Sequence, residues 1–96
     1  MINIVMITNK DATSAVENYK KYMNEFVNLV VVQTVNTNNE NNYIIVKDNL
    51  KFNDGNIIIG EFYYNTPTFD FGNARNYAKM LVLPFGGWVL SLEDVS

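Results

Sequence analysis

The residues best able to do chemistry gather in FDFGNARNYAKMLVLPFGGWVLSLEDVS, residues 69–96. An Arg75–Asn76 pair lies at a helix start, and a Gly-Gly-Trp strand then runs into the acidic Glu93 and Asp94. An arginine near a helix N-terminus adds donors and positive potential, so Arg75 reads either as a phosphate contact or as the ion-pair partner of a local acid. Glu61 and Asp70 are the other acids near the edge where a ligand is expected, and Asp70 reads as a helix N-cap. The chain has no Cys and no His. That excludes disulfides, thiolate or imidazole metal sites and any histidine-assisted nucleophile, so a metal here must be held by oxygen.

Charge narrows the partners. Seven basic residues are scattered through a chain of net charge -3, which leaves no electrostatic footprint for a nucleic-acid backbone. Anionic small ligands remain compatible, since backbone amides can hold them. No run reaches transmembrane length, and the opening MINIVMITNKD reads as a strand rather than a leader, so a cytoplasmic setting is expected, or a host cytoplasm for a viral protein. At 96 residues and 48% hydrophobic content the chain suffices for one small domain.

The elements that must position these residues follow from periodicity. Ile2–Ile7 is a continuous apolar run of the kind buried on both faces of a parallel sheet, ending in a Thr8–Asp11 loop. Ala12, Ala15, Val16, Tyr19, Tyr22, Met23 and Phe26 then recur at helical spacing behind Asp11 or Thr13 as N-cap. Leu29–Val32 is a second buried strand, making a right-handed βαβ unit, and QTVNTNNENN follows as a polar loop at its carboxyl end. Residues 43–52 read as a short strand or a helical turn, and Asn53-Asp54-Gly55 as a tight turn before a strand from about Ile57 to Tyr63. Pro67 belongs to a loop, Phe71–Leu81 to a helix, and Trp88–Leu92 to a last strand introduced by Pro84, Gly86 and Gly87. The aromatics Phe62, Tyr63, Tyr64, Phe69, Phe71 and Trp88 read as core rather than as a stacking platform. The pattern β-α-β-x-β-α-β predicts half of a doubly wound α/β domain.

This order of features resembles the N-terminal half of family 2 glycosyltransferases with the GT-A fold. The resemblance covers nearly the whole chain: a strand ending ITNKD, the strand VVVQTVNTN where the family has VVVDTGSTD, TFDFGNARNYA against DFSxARNxA, and GGWVLSLED against GDWILxLDADE. It implies an α/β, Rossmann-like, mostly parallel sheet of about four strands with two or three helices, residues 1–96 forming one nucleotide-sugar-binding half domain. It also implies that a nucleotide-diphosphate sugar is held by Asn9 in the first loop, Gln33 and Asn38 in the second, and the Arg75–Asn76 pair. A divalent metal, Mn or Mg, is implied on Glu93 and Asp94.

The departures from the family bear on activity. Gln33 and Asn38 stand where the family has carboxylates, so they can hydrogen-bond but carry no charge. Glu93-Asp94-Val95 replaces Asp-x-Asp, and valine cannot ligate a metal. The family's acceptor site and catalytic base follow the metal motif, so transfer is expected only with a second segment or partner. The alternative is a catalytically inactive remnant acting as a binding or interaction module, in a virus or mobile element. Either way an open sheet ending at Trp88–Leu92 predicts self-association or a covering partner.

Overall fold

The structure is a computed structural model that describes residues 1–65 and 69–94. Its elements are β1 (Ile2–Thr8), α1 (Ala12–Tyr19), β2 (Val27–Thr37), β3 (Tyr43–Phe52), β4 (Gly55–Asn65), α2 (Phe71–Met80) and β5 (Trp88–Asp94), with short 3-10 turns at Lys20–Tyr22 and Leu83–Phe85. They form one five-stranded sheet in the order β3-β4-β2-β1-β5. β1 pairs parallel with both β2 and β5, β2 pairs parallel with β4, and β3 pairs antiparallel with β4.

Alternation along the central strands explains why the helices lie on opposite faces. Val5, Ile7, Val30, Val32, Ile58 and Phe62 form one core with Ala74, Ala78 and Val82. Met6, Leu29, Val31 and Ile57 form the other with Ala12, Ala15, Val16 and Met23. The small Ala74 and Ala78, one helical turn apart, let α2 approach the sheet closely.

Side-chain caps and turns set the element ends. Asp11 caps α1 by accepting from the Thr13 amide, and Asp70 caps α2 by accepting from Gly72 and Asn73. Asn24 Oδ1 accepts the Phe26 amide at 2.8 Å, an Asx-turn that redirects the chain into β2. Asn53 and Asp54 both take positive φ, 51° and 64°, and so make the two-residue hairpin between β3 and β4. Gly87, at φ 88°, packs so tightly on the Met1 carbonyl that a side chain there would collide with it.

Several expectations need correction. The sheet is not the Rossmann-like one of about four strands: among the described residues it is a mixed sheet of five strands in which β3 pairs antiparallel at one edge. The difference comes from residues 43–52, which form the ten-residue edge strand β3 and reach β4 through a tight hairpin. A register shift between Val46 and Asp48 interrupts the period-2 pattern by which a strand is read. β2 runs on to Thr37 because residues 34–37 remain paired with β4, so the polar loop begins at Asn38. α1 ends at Tyr19, and Tyr22 and Phe26 are exposed rather than part of its buried stripe. Trp88 is 81% exposed, not core. The Pro67 loop lies outside the described residues. Among the described residues no helix is long and apolar enough to cross a membrane.

Candidate functional site

Chain direction reverses about β1. From β1 the chain moves through α1 to β2, β4 and β3, and α2 then carries it across the opposite face to β5 on the other side of β1. In open α/β sheets the carboxyl ends of the strands at such a reversal leave a crevice where ligands bind. Register places Thr8 beside Gln33 on one side and beside Asp94 on the other.

The β1–α1 turn is built by Thr8. Its buried hydroxyl accepts the Lys10 amide at 3.0 Å, and its carbonyl accepts from Thr34 Oγ1 at 3.4 Å. These contacts hold Asn9 and Lys10 out at the edge, where both are exposed. Gln33 Oε1 accepts the Ala12 amide at 3.2 Å, so the Gln33 side chain joins β2 to the first turn of α1. With Thr13 bound to Asp11 Oδ1 at 2.9 Å, two of the α1 N-terminal amides already have acceptors.

The α2 terminus is organised in the same way. Asp70 Oδ1 accepts Gly72 N at 2.8 Å and Asn73 N at 3.3 Å. Ala74 and Ala78 face the core, the Arg75 guanidinium lies 5.8 Å from the Phe71 ring centroid, and Asn76 is exposed. A helix turns roughly 100° per residue, so Asn76 sits about 200° from Ala74, on the side away from the sheet. Because both helix N-termini are capped by carboxylates, positive charge near this edge comes from Lys10 and Arg75 rather than from open amides.

Of the residues singled out in sequence, Asn9 follows the end of β1 next to Thr8, whose register partner is Gln33, a residue within β2. Asn38 does not join them: β2 continues four residues past Gln33, roughly 13 Å of strand, before Asn38 is reached. Glu93 and Asp94 occupy successive β5 positions beside Ile7 and Thr8. Val95 lies outside the described residues. Among the residues whose side chains are described, no group of three or more acids could hold a metal ion.

A polar aromatic shelf extends the edge beyond Gln33. Register sets Gln33 beside Glu61 and Val35 beside Tyr63. The Tyr63 hydroxyl donates to Glu61 Oε2 at 3.0 Å, Glu61 Oε1 lies 3.3 Å from Lys47 Nζ, and the Tyr43 and Tyr63 rings stack at 4.7 Å and 5°. The hydrogen bond to Glu61, then burial, then the Glu61 charge hold the Tyr63 phenol above its ordinary pKa. The sequence pointed to Glu61 at this edge but gave no role to Thr8, Lys10 or Tyr43 and placed Tyr63 in the core. For the shelf the available signal was Glu61 and Tyr63 at strand spacing. Phe62 packs as expected, fully buried against Tyr77 and Phe69 with ring centroids 5.4 and 6.4 Å away, whereas Tyr63, read as core, lies on this shelf and Phe71 belongs to neither core.

A cavity of about 140 Å³ lies at the opposite, amino edge, lined by Asn3, Lys79, Val82, Gly87 and Val89 among others. It is separate from the carboxyl-edge groups. No family model, no curated protein and no solved structure matches the chain.

Proposed function

We propose that the chain binds a nucleotide-diphosphate sugar at the carboxyl edge of β1, β2 and β5, as a glycosyltransferase-like donor-binding module. The observation that carries this reading is the register that sets Thr8 between Gln33 and Asp94, where the chain reverses about β1. Asn9 offers an amide to the nucleoside, and Lys10 and Arg75 provide positive potential for the diphosphate. The Asp-Phe-x-x-Ala-Arg-Asn-x-Ala resemblance in residues 70–78 points to the same ligand class.

Sugar transfer needs an acceptor-side base. None of the edge residues has that role in this reading, so turnover requires a second segment or a partner, and binding is the activity assigned to these residues. The competing reading, an interaction module without donor affinity, is favoured by the amides at Gln33 and Asn38 and by Val95 in the metal motif.

Thermal unfolding with UDP-, GDP- and dTDP-sugars, each with and without Mn, separates the two. A ligand at a hundred times its Kd stabilises by about 2.7 kcal/mol. For a domain of this size that is on the order of 10 °C in Tm. A shift with one nucleotide class supports the proposal, and its dependence on Mn reports whether the acidic end of β5 takes part. No shift with any of the three overturns it.

A further inference from the structure

The two edges of the sheet are built differently. The outer edge, β3, carries Lys47, Asp48 and Lys51 and a register shift between Val46 and Asp48. Charges and bulges of this kind keep an exposed strand from pairing with another chain. β5 has neither over Trp88-Val89-Leu90-Ser91-Leu92, and among the described residues only β1 pairs with it.

Cover on the α1 face also fails along β5. Register puts Leu92 beside Met6, Leu90 beside Ile4 and Trp88 beside Ile2. Leu92 packs on the α1 core, whereas Leu90 is 52% and Trp88 81% exposed. An aromatic side chain can bury ~150–250 Å². With Ile2 and Leu90, which share its face, Trp88 therefore forms an exposed apolar patch, the kind of surface that marks an interaction site.

We propose that β5 is the self-association edge of this protein, pairing antiparallel with β5 of a second copy about a two-fold axis near Leu90. That register opposes Trp88 to Leu92 of the second copy and Leu90 to its counterpart, so each Trp88 gains an apolar neighbour. It also sets the acidic Glu93–Asp94 end against the uncharged Gly86–Gly87 end of the other strand. Parallel pairing would place Glu93 and Asp94 beside their own counterparts, where like charges repel. A two-fold edge contact is self-complementary and closes at two copies. Its area falls below the ~800 Å² per partner of a standard interface, so the dimer dissociates on dilution.

Trp88 is the sole tryptophan and reports directly on this contact. Sedimentation equilibrium over a dilution series is expected to show the mass rising from 11.0 kDa towards twice that value, with Trp88 emission moving to shorter wavelength in step. Leu90→Lys should hold the mass at that of the monomer, whereas Ile45→Lys on the β3 edge should leave association unchanged. A monomer with unshifted emission at every concentration overturns the proposal, as does growth beyond two copies. Loss of the dimer in Ile45→Lys but not in Leu90→Lys overturns it too. If Leu90→Lys fails to fold, the wild-type mass and emission series decide alone.

Discussion

Asn28 Nδ2 donates to Asn3 Oδ1 across 2.8 Å, between two side chains that are each 1% exposed. Asn56 Nδ2 donates in turn to Asn28 Oδ1 at 2.8 Å, and Asn3 Nδ2 donates to the Gly86 carbonyl at 2.7 Å. The three asparagines are in register on β1, β2 and β4, so the chain of amides spans the amino ends of the parallel strands and reaches the turn before β5. A one-residue slip would move each amide to the other face and leave it unpartnered, which makes this ladder a device for fixing register.

Asn28→Ala removes the central link and strands the Asn3 carbonyl and one Asn56 donor. Each unsatisfied buried polar group costs roughly 1–3 kcal/mol. Urea unfolding should lose about 3 kcal/mol at unchanged m-value, and a loss below about 1 kcal/mol would show that the ladder is not structural.

Gln33→Ala leaves the Ala12 amide without its side-chain acceptor. The expected cost is ~1 kcal/mol, with faster hydrogen exchange at Ala12. Gln33→Glu keeps the acceptor, although its charge lies beside Glu61 in register, so it should retain more stability than Gln33→Ala. Equal stability of the two variants would contradict the contact.

Tyr63 links stability to pH at the alkaline end. Its folded pKa is raised above the ordinary 10.0 chiefly by the hydrogen bond to Glu61, so the neutral phenol is the favoured form in the native state. A raised pKa stabilises fully below the unfolded value of about 10, and the contribution disappears as pH rises through the folded value. Absorbance titration should show Tyr63 ionising above the ordinary 10.0, and Glu61→Gln should lower that value. An unchanged titration in Glu61→Gln would contradict this assignment.

Much of the architecture was legible where periodicity and caps agreed. Ile2–Ile7, the Asp70 cap, the helix starting at Phe71 and the strand starting at Trp88 stand as read, and of Asp11 and Thr13 it is Asp11 that caps α1. β3 was obscured because its bulge breaks the alternation of Tyr43–Phe52, and the extension of β2 because its polar residues are held by pairing rather than by apolar burial. Trp88 misled because residue type marks core only where another element covers the strand, and α1 does not reach that end of β5. At the site, the placement of Asn9 just after β1 was legible from the apolar run that ends before it, whereas Gln33 lies within β2 and not in the loop expected after Val32. The separation of Asn38 depends on the length of β2, and the Tyr43–Tyr63 stack on antiparallel register, neither of which local pattern reveals.

The central claim is that the carboxyl edge around Thr8 binds a nucleotide-diphosphate sugar. The most direct measurement is a titration of backbone amide resonances with UDP-, GDP- and dTDP-glucose, each in the presence and absence of Mn. One nucleotide should shift residues 8–12, Gln33 and Arg75 in a saturable manner, while Asn3, Asn28 and Asn56 at the amino edge stay fixed. Saturable shifts confined to the amino edge, or no shift with any of the three nucleotides, would contradict the account.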